Sequence, residues 1–255
     1  MAESNTHSAD EYLMTIYLLA YPVGEYLPSR KGPQPTAPAR IADQLGVSRA
    51  SVGEMLKRLE ADGLVSRGEK KEAILTQRGR EVAMATARRH RLVERLLVDF
   101  MGYSGAESHD KTDGLDDGFD EEMVERLYER LGRPVRCPHG YPIDPDHELR
   151  ENPTLKPLSR IESGATATVV RVAEHDGALL HWYYDTGLVP GIELSVVRSD
   201  HDGSVTVHRA AGAELTLTRA QSSGLFMRPE GIPEVPATAT CWADILRGER
   251  KLASE

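Results

Sequence analysis

The chain of 255 residues is 40% hydrophobic and 28% charged, with a formal net charge of −9. This is ordinary soluble globular composition, apolar enough to fill real cores, and the length predicts two domains or three small ones. No apolar run approaches 18 residues, and the opening MAESNTHSADEY has neither a basic start nor an apolar stretch, so no membrane span or secretory leader is expected. Cys137 and Cys241 make no disulfide framework, which points to a reducing cytoplasm. The negative charge is unevenly spread. Residues 39–91 hold 12 Lys and Arg against 7 Asp and Glu, whereas residues 92–151 hold 7 against 16. A basic block followed by an acidic block predicts an anionic partner for the first and a cationic one for the second.

In chain order, residues 10–20 (DEYLMTIYLLA) place Tyr12, Leu13, Ile16, Tyr17 and Leu19 at helical spacing. The next stretch, PVGEYLPSRKGPQPTAP, carries five prolines between Pro22 and Pro38 and reads as a flexible insertion. From Ala39, ARIADQLGVSRASVGEMLKRLEADGLV predicts a helix, a turn at Gly46, a second helix capped by Ser48, and a stop at Gly63. Val52, Met55, Leu56 and Leu59 form the inward stripe of that second helix. LVSRGEKKEAILT is a hairpin candidate, residues 80–101 a long helix, and residues 106–131 one or two more. CPHGYPI (137–143) reads as a rigid loop in which Cys137 and His139 serve packing, and NPTLKP (152–157) as a linker. Residues 161–228 turn to alternating β-branched runs, predicting a small barrel or sandwich with Trp182, Tyr183 and Tyr184 in its core. The tail from Pro229 includes CWADILRGERKL, a short helix candidate.

Helix–turn–helix followed by a hairpin is a winged-helix pattern, and the basic block coincides with it. The second helix would enter a major groove while Arg and Lys neutralise phosphates. Ser48, Arg49, Ser51 and Glu54 lie opposite its apolar stripe, near the end that meets base edges. Arg49 suits guanine, Glu54 a cytosine amino group, and Ser51 either strand. Arg67, Lys70 and Lys71 on the wing would hold the DNA backbone. The bland alternative is an amphipathic helical hairpin with a solvated face.

Residues 109–117, HDKTDGLDD, pose the sharper question. On one continuous helix His109, Asp113, Asp116 and Asp117 share a face, which is either a solvated acidic face or a site for a cation. His90 and Glu94 sit one turn apart on the long helix, and with His109 they make two imidazoles and a carboxylate, a set that suits a divalent transition metal. An EF-hand is excluded because the required alternation of acids fails from Asp110, Asp113 and Asp116 alike. The enzyme alternative is a two-metal hydrolase built on the same residues. Against it, no nucleophile or general base stands beyond the ligands.

DEYLMTIYLL, the helix–turn–helix run, RRHRLVERLLVD, HDKTDGLDD and CPHGYPI occur in the order of the diphtheria toxin repressor family of iron- and manganese-dependent regulators, which the chain resembles over roughly residues 9–228. The resemblance implies a mainly α protein with a small β domain. It places a winged helix–turn–helix DNA-binding domain over 1–79, a helical metal-binding and dimerisation domain over 80–151, an SH3-like (FeoA-like) domain over 161–228, and a tail over 229–255. It implies a homodimer that binds a palindromic DNA operator when loaded with Mn²⁺ or Fe²⁺ and so controls metal homeostasis genes. By position, one metal site would use His90, Glu94 and His109, with Glu174 as fourth partner. The other would use Glu11 with Asp113, Asp116 and Asp117. Where the family commonly ends this motif in histidine, and iron-type members carry a sulfur ligand earlier, this chain has aspartate at both positions. An all-carboxylate set is hard and favours Mn²⁺ by ligand type.

Overall fold

Helix α1, Ala9–Ala20, opens on a reciprocal cap: the Ser8 hydroxyl accepts from the Glu11 N–H at 3.2 Å, and the Glu11 carboxylate accepts from the Ser8 N–H. The computed structural model describes residues 7–20, 35–174, 176–209, 212 and 214–234. The proline-rich stretch from Pro22 to residue 34, Cys241 and the CWADILRGERKL segment lie outside the described residues. The chain forms two compact units that divide between Arg89 and His90, inside a helix rather than at an element boundary.

In the first unit, Tyr12, Leu13, Ile16 and Tyr17 of α1 are buried. Helix α2 (Pro38–Leu45) begins on proline, whose fixed φ suits a first helical residue, and ends at Gly46 with φ +64. Helix α3 (Arg49–Ala61) is capped by Ser48, whose hydroxyl accepts from the Ser51 N–H at 3.0 Å. Its buried stripe is Val52, Leu56 and Leu59, with Met55 only half-buried. The expected wing is the antiparallel pair β1 (Val65–Arg67) and β2 (Ala73–Leu75), registered Val65 to Leu75. Gly79 follows in the first turn of α4 (Gln77–Met101), where a Cβ would stand 1.8 Å from the Leu64 carbonyl oxygen. Only glycine permits that approach.

The second unit begins within α4. The acidic stretch does not continue as one helix. Helix α5 spans Gly105–Thr112, Asp113 caps its C-terminus at ψ 117, Gly114 takes φ +76, and Asp116–Gly118 form a 3₁₀ turn before α6 (Glu121–Arg130). The shared helical face read for residues 109–117 is therefore broken, because glycine offers the left-handed turn that leaves the helix. The 137–143 loop is rigid as expected: Cys137 and Tyr141 pair through Cys137 N–H to Tyr141 O at 2.8 Å, and Arg136 bridges Pro142. Cys137 does pack, in a cluster with Leu92, Val124, Tyr141 and Ile143.

After helix α7 (Pro145–Glu151), a 3₁₀ turn (Asn152–Thr154) and strand β3 (Lys156–Pro157) occupy the stretch that reads as a linker. Strands β4 (Thr166–Val172), β5 (Glu193–Ser199), β6 (Val205–Arg209), β7 (Leu215–Leu217) and β8 (Leu225–Pro229) complete a six-stranded antiparallel sheet in the order β3-β8-β4-β5-β6-β7. Register shifts at Val169/Arg171 and Val196/Arg198 let the sheet bend around its core. Trp182, Tyr183 and Tyr184 belong to a helix, α8 (Gly177–Thr186), that packs on that core. Tyr183 is buried in it and its two neighbours lie at its edge. A short helix α9 (Arg219–Ser223) precedes β8.

One buried ion network ties these elements together. Arg171 of β4 is fully buried and donates to Glu151 at 2.5 Å, while Arg91 of α4 donates to Glu148 at 2.6 Å and to the Pro142 carbonyl at 2.8 Å. Both guanidinium groups face the Tyr141 ring at 5.3 Å. Each charge is compensated, which is the condition for keeping it out of water.

Candidate metal centre

Four elements of the second unit converge beside α4. Helix α4 supplies Glu94, α5 supplies His109, the 137–143 loop supplies His139, and the exit of β4 supplies Glu174. Each of these four offers one ligand atom, and all the atoms lie within 4.8 Å of one another. His109 Nδ1 is 3.2 Å from Glu94 Oε1, and His139 Nδ1 is 3.2 Å from Glu94 Oε2 and 3.5 Å from Glu174 Oε2. Ligands on one ion at about 2.1 Å are separated by such distances. Two imidazoles and two carboxylates suit Fe²⁺, Mn²⁺ or Zn²⁺ rather than a hard O-only ion.

Two observations fit this set to a cation. Glu94 Oε2 is buried and accepts no well-aligned hydrogen bond although His139 Nδ1 stands 3.2 Å away, so its lone pair is directed into the cluster. His139 Nε2 stands 3.0 Å from the Gly105 carbonyl oxygen. A carbonyl can only accept, so Nε2 carries a proton, and the neutral form of His139 that a metal requires turns its Nδ1 lone pair toward Glu94 and Glu174. Fixing the far ring nitrogen on a carbonyl is how proteins orient a metal-binding imidazole.

Without a cation the same carboxylate holds protons on its neighbours. Burial opposes ionisation of Glu94, but His139, His109 and His90 outweigh it and pull its pKa well below the usual range. Burial lowers the imidazoles, and Glu94 reverses that for His139 and His109, raising both. His90 is raised well above its ordinary value, with burial opposed by Asp116 and Glu94.

The residues predicted from sequence are thus partly regrouped. Glu94, His109 and Glu174 come together. His90 stands outside the converging four, with Nε2 3.3 Å from Glu94 Oε1 and Nδ1 3.3 Å from Asp116 Oδ2. His139, assigned to packing by the sequence reading, takes a place in the set. The available signal was a histidine fixed in a proline-bracketed loop by Gly140, at φ +89, where a Cβ would meet the Val170 carbonyl oxygen at 1.8 Å. Of the acidic residues, Asp116 is buried against His90, while Asp113 and Asp117 are exposed. Glu11 belongs to the first unit, where it caps α1 and His7 Nδ1 lies 3.4 Å from it.

On α3, Ser48, Arg49, Ser51 and Glu54 are all exposed, opposite the buried stripe. Lys57 donates to Glu54 at 2.8 Å, and that hydrogen bond holds the Glu54 carboxyl below its ordinary value, ionised and able to accept. Lys70 and Lys71 are exposed at the tip of the wing and Arg67 is half-buried at its base. Lys71 sits at φ +63, a left-handed conformation uncommon for a lysine.

Comparison with known proteins gives three adjoining matches: the N-terminal DNA-binding domain of iron-dependent repressors over residues 5–73, their metal-binding and dimerisation domain over 76–145, and the FeoA domain over 156–229. The iron-dependent repressor IdeR of Mycobacterium tuberculosis (strain ATCC 25618 / H37Rv) is 32% identical over 212 residues, covering 78% of this chain and 87% of its own. The diphtheria toxin repressor of Corynebacterium diphtheriae is 30% identical over 219 residues, 82% of this chain and 92% of that one. A solved manganese-dependent transcriptional repressor in complex with manganese superposes with a TM-score of 0.72 at 27% identity, covering 87% of this chain and all of the other. No described helix is long and apolar enough to cross a membrane.

Proposed function

We propose, from the premise that the chain belongs to the iron-dependent repressor family, that Glu94, His109, His139 and Glu174 hold its activating metal. The protein is a metal-dependent transcriptional repressor, not an enzyme, and it joins a DNA-binding domain to a metal-binding and dimerisation domain. The metal on which it depends is iron or manganese. The two-metal hydrolase reading falls with the family.

The observation that carries the site assignment is the buried Glu94 carboxylate with its unmet oxygen beside an imidazole of fixed tautomer. A bound dication supplies the positive charge that this cluster otherwise takes from protons. The chain's own residues do the rest: Glu94 and Glu174 accept the charge, His109 and His139 give nitrogen ligands, and the ion pairs of Arg91 and Arg171 hold the supporting elements.

For DNA, we assign base contacts to Ser48, Arg49, Ser51 and Glu54, and backbone contacts to Arg67, Lys70 and Lys71. Their exposure and charge support that reading. The target is a palindromic operator of metal homeostasis genes, bound by a homodimer in the cytoplasm, with domains over 1–79, 80–151 and 161–228. Phe100, Met101, Leu115 and Met123 are exposed large apolar side chains of the second unit, which a second copy would cover.

The test is fluorescence anisotropy on a palindromic promoter fragment, with Mn²⁺ or Fe²⁺ titrated in. The expected result is binding that requires metal in the natural protein and loses its metal response in Glu94→Gln. Operator binding that ignores metal overturns the proposal.

A further inference from the structure

We infer that Tyr184 is a positioning residue for the metal centre, its hydroxyl holding the loop of His139 and the first turn of α5 in register so that His139 Nδ1 stays aimed at Glu94 and Glu174. The inference rests on the metal-centre reading above and adds a residue that touches no metal.

The Tyr184 hydroxyl donates to the Pro138 carbonyl at 2.9 Å, one residue before His139. Its ring meets the His139 ring edge to face, with centroids 6.0 Å apart. On the other side lies Gly105, whose carbonyl fixes the His139 tautomer at 3.0 Å. A Cβ on Gly105 would stand 2.0 Å from the Tyr184 hydroxyl oxygen, so the α5 backbone lies directly against that hydroxyl. Tyr184 therefore contacts both the residue that carries His139 into the site and the residue that orients its ring. The strand side is tied as well, since the Val172 N–H donates to the His139 carbonyl at 3.0 Å, two residues before Glu174. Loss of the hydroxyl frees the Pro138 carbonyl and removes the hydrogen bond that ties the loop to α8, one residue before His139. A ligand misplaced by a fraction of an ångström loses affinity while the fold persists.

Tyr183 supplies the internal control. It is the adjacent residue on the same helix, and its hydroxyl also donates to a carbonyl, that of Gln221 at 2.7 Å, a residue of α9 that does not adjoin any of the four ligands in sequence. Removing either hydroxyl deletes one hydrogen bond of the same kind. Only the Tyr184 hydroxyl is bonded to a residue that adjoins a proposed ligand.

The experiment compares the full chain with Tyr184→Phe, Tyr183→Phe and Glu94→Gln. Co²⁺ is the probe, with affinity read by calorimetry and ligand geometry by the visible absorption bands of the bound ion. Tyr184→Phe is expected to weaken Co²⁺ binding about tenfold, as other supporting residues of metal sites do, and to shift the bands. Tyr183→Phe is expected to leave both at the natural values. Natural affinity and bands in Tyr184→Phe, or an equal loss in Tyr183→Phe, overturn the role of Tyr184. If Glu94→Gln binds Co²⁺ as the natural chain does, the metal-centre reading itself is what fails.

Discussion

Glu54 and Glu94 both stand on amphipathic helices within reach of a basic side chain, and their surroundings give them opposite roles. The Glu54 side chain is 70% exposed beside Lys57, so its charge is solvated and that ion pair contributes little to stability. Its carboxylate is open to a partner, and on the proposed reading a change there would alter base contacts without disturbing the helix. Glu94 is fully buried, and its charge is met by imidazoles from three separate elements. Altering it changes the protonation of all three. The proposed recognition surface is thus a set of nearly independent side chains, while the proposed metal centre is a single coupled object.

The strongest test of that contrast is Arg171→Met, beneath the metal centre. It strips a buried partner from Glu148 and Glu151 and is expected to cost about 3–5 kcal/mol of unfolding free energy in urea. A loss below about 1 kcal/mol would place the buried network in the same class as the surface pairs.

The coupling also predicts a pH dependence. The raised His90, His109 and His139 stabilise the metal-free chain fully below about pH 6.5, their unfolded value, and that stability is lost as pH rises through the folded pKa values. The lowered Glu94 contributes above about pH 4.5 and loses its contribution as pH falls through its folded pKa. Metal needs the imidazole lone pairs and must displace those protons. Thermal shift with Mn²⁺ should therefore show a metal-induced gain in Tm that grows from pH 6 to pH 8. A gain independent of pH would uncouple the imidazoles from the site.

On the recognition surface the effects should be smaller and local. Arg49→Ala is expected to relax preference at one or two operator positions by about 1–3 kcal/mol, whereas Lys70→Ala weakens all sequences alike and lowers the salt slope by about one. Competition binding over a set of operator variants separates the two outcomes, and a uniform loss from Arg49→Ala would make it a phosphate contact. Lys57→Ala should leave the melting temperature almost unchanged, the smallest effect of all.

How far each region was legible in the sequence follows from the range of its interactions. The recognition helix is local: the Ser48 cap, the Gly46 turn and the stripe of Val52, Leu56 and Leu59 are separated by a few residues, and helical periodicity alone turns Arg49 and Glu54 outward. The pattern of motifs along the chain likewise carried the family and its three-part fold. The metal centre is only half local. His90 and Glu94 share a helix face, but His109, His139 and Glu174 arrive from elements separated by tens of residues.

Local pattern also misled in two places. HDKTDGLDD looks like one helical face until Gly114 turns the chain and leaves Asp113 exposed and Asp116 buried against His90. A lone histidine in CPHGYPI carries no period at all, so its pairing with Glu94 rests on the close packing of Gly140 against β4 and on the hydroxyl of Tyr184. Sequence by itself determined the helix–turn–helix, the wing, the alternating strands and the ligand-capable residues, because these depend on periodicity and residue chemistry. Tertiary structure alone decided which imidazoles converge with Glu94 and Glu174 and which one is shared with Asp116. That choice depends on distances between elements far apart in the chain, and no spacing along one element encodes them.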